Sequence, residues 1–151
     1  MRIEQQVASV SQCKKLKELG VKQSGLFSWL YNNYSGEYEI SKQNVEALQL
    51  LAKSNTDSWK ERIDKGIFSA WTASELAEIL PYRLRDELKS ENPHLRIYRG
   101  GNQWSVKYHN TFSRPYVQTG DVESLVEGLA NTLIHIIEHK LISVEEINSK
   151  L

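Results

Sequence analysis

The stretch LRIYRGGNQWSVKYHN, residues 95–110, alternates like a strand on both sides of a glycine turn. Leu95 and Ile97 fall on one face of the first arm, and Trp104, Val106 and Tyr108 on one face of the second. Gly100, Gly101 and Asn102 between them supply tight-turn chemistry. The stretch therefore reads as an antiparallel hairpin. RPYVQT (114–119) reads as a third strand, placed at an edge because Pro115 has no N–H to donate. Successive side chains point to opposite faces. Trp104 is thus expected mostly buried and Lys107 exposed.

A half-apolar sheet needs a cover, and residues 121–140 supply one. Val122, Leu125, Val126, Leu129, Leu133, Ile136 and Ile137 recur at helical spacing, with Asp121 placed to cap the helix. The stripe is about 24 Å long at 1.5 Å per residue, enough to cross several strands. It is expected to lie across one sheet made by the hairpin and LFSWLY (26–31), with TASELAEIL (72–80) beside it. In LFSWLY, Phe27, Trp29 and Tyr31 alternate with Leu26, Ser28 and Leu30. Both faces are substantial, which suits a central strand.

The remaining pieces fit around these. Ser9 with Gln12 and Thr72 with Glu75 have the spacing of capping boxes. Val10, Cys13, Leu16 and Leu19 form a narrow stripe that Gly20 terminates. EYEI (37–40) is a weaker strand, and Ser41 is placed to cap a helix over 42–53 with Val45, Leu48 and Leu51 inward. KSNTDSWKERIDKG (53–66) reads as an exposed connection, partly helical around Trp59 and Ile63. IFSAW (67–71) is extended, Pro81 ends the helix that follows, and Leu84 and Leu88 suggest a further helical turn. Ser143 with Glu146 starts a short last helix. The pattern predicts one α+β domain over 1–151. A small, mainly antiparallel sheet packs against helices, and the long C-terminal amphipathic helix lies on it.

Composition bounds the function. The 151 residues carry 19 basic and 19 acidic side chains, a formal net charge of zero. That balance argues against a strong general polyanion binder, and it favours self-association into a homo-oligomer. The sequence has no apolar run near membrane-spanning length and no apolar segment behind MRIEQQVASV. With the lone Cys13, this predicts a cytoplasmic protein without disulfides.

Four segments resemble, in order and spacing, a family of small uncharacterised proteins of bacterial genomes and phage or prophage regions. They are CKKLKELGVKQSGLFSWLY from Cys13, SAWTASELAEILP from Ser69, WSVKY from Trp104 and GLANTLIHIIEHKLI from Gly128, about a third of the chain. The segment between Trp29 and Trp71 is longer than the family pattern. The resemblance implies a phage or mobile-element setting and supplies no catalytic residues.

Two stretches could carry chemistry. No Asp or Glu lies between Glu91 and Asp121, so Arg96, Arg99, Lys107 and Arg114 are unopposed there, with His94 and His109 added. Tyr98, Trp104, Tyr108, Phe112 and Tyr116 are interleaved, a composition that suits single-stranded nucleic acid over residues 95–119. Alternation gives the plainer reading, aromatics inward and cations outward. HIIEH (135–139) matches the H-x-x-E-H order of inverted zincins, with His135, Glu138 and His139 as the zinc-hydrolase set. His135 and His139, however, lie opposite the apolar stripe. A third ligand would have to come from earlier in the chain or from Glu145 or Glu146. No metal and no cofactor are expected. RGG (99–101) is turn chemistry, and Cys13 on its stripe reads as a buried, inert thiol. Trp59, in polar surroundings, is the aromatic most suited to face a partner. The leading expectation is a non-enzymatic, phage- or mobile-element-associated accessory protein that works by contact with another protein. Nucleic-acid binding stands second and zinc hydrolysis third.

Overall fold

The computed structural model describes residues 5–54, 56–84, 92–110 and 115–151. Ser9 opens α1 (Val10–Glu18) with the capping box that its spacing predicts. Its hydroxyl accepts from the Gln12 N–H, and the Gln12 side chain accepts from the Ser9 N–H. Gly20, at φ 89°, closes the helix as Gly20 and Val21 donate back to the Lys17 and Leu16 carbonyls. Cys13 and Leu16 are buried, and Val10 and Leu19 pack at the margin.

β1 (Phe27–Asn32) is central in a first antiparallel sheet, flanked by β2 (Glu37–Ser41) and β3 (Phe68–Ala70). Trp29 pairs with Ile40 on one side and Phe68 on the other. Both faces of this sheet are covered. On one, α1 lays Lys14 and Lys17 over the Phe68 ring, and Lys17 donates to the Ile67 carbonyl. On the other, Leu30 joins Val45, Leu48 and Ile67 beneath α2 (Val45–Ser54) and α3 (Thr56–Lys65). Asn44, not Ser41, starts α2, with its side chain accepting from the Ala47 N–H. Ser41 is spent in β2. Leu51 is exposed rather than inward, and Ala52 takes the buried position. The polar 53–66 stretch is mostly helix α3, amphipathic around Trp59.

β3 leads directly into α4 (Ala73–Ile79), whose Thr72–Glu75 capping box forms as expected. From Pro81 to Leu84 the chain is not helical. Residues 82–84 instead run beside the next strand, where Leu95 donates to the Tyr82 carbonyl and Leu84 to the Pro93 carbonyl. Leu88 lies outside the described residues. The hairpin is β4 (His94–Gly100) and β5 (Gln103–His109), turned at Gly101 with φ 61°. With β6 (Pro115–Val122) it forms a second sheet in the order β4-β5-β6. The expected single sheet is therefore two. β2 and β3 occupy both edges of β1, and residues 82–84 occupy part of the β4 edge. The LFSWLY strand thus has no free edge for the hairpin to join.

α5 (Leu125–Glu138) lies on β5 and β6 of the second sheet, with α4 and α1 alongside. Its start differs from expectation. Asp121 does not cap it but pairs with Ser105, and Val122 pairs with Trp104, because β6 continues through Gly120 at φ 93°. Val126, Leu129, Leu133, Ile136 and Ile137 are buried as the stripe predicts. Gly128 allows close approach: a Cβ there would stand 2.9 Å from Val106 Cγ2 and 3.1 Å from Val122 Cγ2. Thr132 donates to the Gly128 carbonyl and meets the Thr119 hydroxyl. One buried cluster runs from Trp29 on β1 through α1, α4 and α5 to Val106 and Tyr108 on β5. α6 (Val144–Asn148) returns to the start of the chain. Asn148 donates to the Gly20 carbonyl at 3.0 Å and accepts from the Lys22 N–H at 2.8 Å. The described elements form an α+β architecture. Among the described residues, no helix is long and apolar enough to cross a membrane.

Candidate functional site

The starts of α1, α4 and α5 converge on an open groove of about 1290 Å³. The first two helices are closed by their capping boxes. The third is not, because the Ser124 side chain makes no cap bond. The first N–H groups of a helix have no partner within it, so residues 125–127 present donors where they line the groove. Apolar surface comes from Leu26, which is 67% exposed, Leu125 and half-buried Trp104. Gln12 spans one wall, donating to Asn131 Oδ1 at 2.7 Å and to the Glu127 carbonyl. Among the described lining residues the charged ones are Glu123 and Glu127.

Trp104 keeps most of its surface buried, as alternation predicts, but is not sealed like Val106 and Tyr108. It sits near the end of β5 beside the hairpin turn, where α5 is only beginning, and the Arg99 guanidinium lies 5.4 Å from its ring. Lys107 is half-buried rather than free. The pleat divides the basic set. Arg99 opposes Trp104 on the α5 side of the sheet, while Arg96 and Lys107 oppose each other on the far side. Tyr98 shares that far side, 42% exposed, with Lys107 Nζ 4.9 Å from its ring centroid and Arg96 Nη1 3.3 Å from its hydroxyl. The aromatic-inward reading therefore holds for Trp104 and Tyr108, with Val106 between them, and fails for Tyr98. Tyr108 is buried, donates to the Pro81 carbonyl at 2.6 Å, and has its pKa raised by burial. Arg114 lies outside the described residues.

The three residues of the 135–139 motif do not converge. The His135 and His139 rings stack with centroids 3.9 Å apart, and His139 Nδ1 sits 2.9 Å from the His135 carbonyl. Burial, then the neighbouring imidazole, lowers the pKa of His135. The Glu138 carboxylate turns to α1, 2.7 Å from Lys15 Nζ. The Lys15 ammonium bonded to it holds its carboxyl below the usual carboxylate range. Among the described residues no three His, Cys, Asp or Glu side chains gather as a metal-ligand group. Cys13 is buried and faces the Ala8 carbonyl, and burial pushes its thiol up to about 11. That setting withholds the thiolate needed for nucleophilic chemistry. Trp59 is half-buried against Val45, Leu48 and Ile67, with the Arg62 guanidinium 5.1 Å from its ring. Its role is to close the small core under α3.

Two features escape a sequence reading. The groove joins segments far apart in the chain, although the capping signals at Ser9 and Thr72 mark two of its three corners. Tyr82, 67% exposed and stacked on His94 at 5.4 Å, depends on the 82–84 segment pairing with β4. No protein-family model, curated protein or solved structure matches the chain.

Proposed function

We propose that this is a non-enzymatic accessory protein of the cytoplasm that acts by protein–protein contact, docking an extended segment of its partner in the groove at the starts of α1, α4 and α5. The observation that carries this reading is the groove's lining. Leu26, Trp104 and Leu125 offer apolar contact. The uncapped first turn of α5 offers backbone donors to a partner's carbonyls. Glu123 and Glu127, at its charged side, favour a segment that carries Lys or Arg. The other polar groups are hydroxyls and amides suited to pairing a peptide backbone. The resemblance of the four segments from Cys13 to Ile142 supports a phage or mobile-element setting, which the genes flanking this one would test.

Peptide display on the purified protein tests the docking reading. Enriched peptides should pair an apolar residue with a Lys or Arg. They should lose at least about tenfold in affinity on Leu125→Arg, and on the double change Glu123→Lys with Glu127→Lys. Enrichment of no peptide, or of peptides indifferent to these changes, would overturn it.

A further inference from the structure

The face of the β4-β5-β6 sheet turned away from α5 meets none of the needs of the groove or the core. Its cross-strand pairs are His94 with His109, Arg96 with Lys107 and Tyr98 with Ser105. The helix contacts of this sheet fall on its other side, through α5 on β5 and β6. We propose that this outer face binds single-stranded nucleic acid, with the Tyr98 ring stacking on a base and Arg96 and Lys107 meeting the backbone phosphates.

Charge is the first argument. Arg96 and Lys107 form no ion pair among the described residues, where the one salt bridge joins Lys15 to Glu138. Two cations held opposite each other on a sheet repel, and an anion between them removes that repulsion. The carboxylate on this face, Asp121, lies across the sheet on β6.

Aromatic surface is the second. Tyr98 and Tyr82 are both exposed, and each has a cation at its ring: Lys107 at 4.9 Å and Arg83 at 5.8 Å. Tyr82 stacks on His94, which stands four residues from Tyr98 along β4, or about 13 Å at strand rise. The two rings thus mark the ends of a short track lined by cations. Stacking needs a base whose flat face is free, which a single strand offers and a duplex does not.

Unsatisfied polarity is the third. His94 Nδ1, His109 Nδ1 and Ser105 Oγ are buried without hydrogen-bond partners, and all three residues belong to this face. Polar atoms left so by the fold are the exception and call for a partner.

The zero net charge sets the scale. With two or three phosphates neutralised, affinity should be modest and fall roughly 7- to 20-fold between about 50 and 200 mM salt.

Fluorescence anisotropy with labelled oligo(dT) of about 15 nucleotides tests this, with a duplex of equal length and an acidic peptide as comparison probes. The single strand should bind most tightly. Tyr98→Ala should cost about tenfold while Tyr98→Phe retains binding. Arg96→Glu with Lys107→Glu should abolish it. Trp104→Ala, on the other side of the sheet, should leave it unchanged, which separates this surface from the groove. Circular dichroism should show every variant folded, since the altered side chains lie outside the core. The proposal falls if the oligonucleotide does not bind at about 50 mM salt, or if binding survives the charge reversal. Tighter binding of the acidic peptide would make the face a protein-docking surface and overturn it equally.

Discussion

The two three-stranded sheets use the same materials to opposite ends. In the β2-β1-β3 sheet, cations lie over aromatic rings from outside: Lys14 and Lys17 come from α1, and Lys65 from α3 reaches Tyr31. They cover the rings, and Phe68 ends with 6% of its surface exposed. In the β4-β5-β6 sheet the cations come from the neighbouring strand of the same sheet, Lys107 beside Tyr98 and Arg99 beside Trp104. A cation in that position accompanies the ring without covering it, so Tyr98 stays exposed and Trp104 is not fully sealed. The same pairwise contact closes a surface when it bridges two layers and leaves it open when it lies within one.

The contrast can be broken one layer at a time. The largest effect belongs to the closed sheet. Trp29 is buried, and its indole N–H donates to the Ala8 carbonyl at 2.9 Å. Trp29→Ala should cost about 3–5 kcal/mol, read from urea unfolding. A loss under about 1 kcal/mol would show that sheet to be as open as the other. Next comes the covered side of the second sheet. Gly128→Ala drives a methyl group into Val106 and Val122. It should cost about 1–3 kcal/mol through overpacking, and an unchanged midpoint would mean α5 lies farther from β5 than its contacts indicate. Trp104→Ala, at the rim, should cost about 1–2 kcal/mol, less than truncation of a fully buried ring. A value equal to that for Trp29 would restore Trp104 to the core. The smallest change belongs to the open face: Tyr98→Ala should stay under about 1 kcal/mol. A larger loss would mean that this ring holds the sheet together rather than waiting for a ligand.

These differences also mark how far the sequence could be read. Signals that act within a few residues were legible. The Ser9–Gln12 and Thr72–Glu75 boxes, the Gly20 stop and the hairpin turn all form as their spacing predicts. The stripe of α5 was legible from Val126 to Ile137 because periodicity survives wherever one neighbour covers the whole helix. What failed depended on pairing between distant segments. Ser41 and Asp121 have the chemistry of caps, but each was claimed by a strand whose partner residue fixed it there. The sheet divided because β3, only three residues long, took the edge that the hairpin would have needed. Alternation placed Trp104, Val106 and Tyr108 on one face correctly. It could not say how far along β5 the covering helix reaches, and that extent decides which of them is buried. The outer-face pairing of Tyr98 with Ser105 follows from the two-residue turn at 101–102, which sets the register across the hairpin.

Asn148 holds both the carbonyl of Gly20 and the N–H of Lys22, so the last helix fastens the exit of the first. The cluster that shelters Cys13 and Leu16 is drawn from both sides of the chain: Trp29, Ala70 and Trp71 precede α5, and Val126 to Ile137 of α5 complete it. Loop-closure entropy rises only slowly with length, by about 0.6 kcal/mol per doubling, so the finished clasp is not expensive to hold. Its effect is on time: α1 can settle on β3, but its exit stays unfastened until Asn148 has been made. Non-local closure of this kind slows folding and lengthens the exposure of unpaired strand edges. A nascent chain stalled just before Asn148 would be vulnerable to aggregation through those edges.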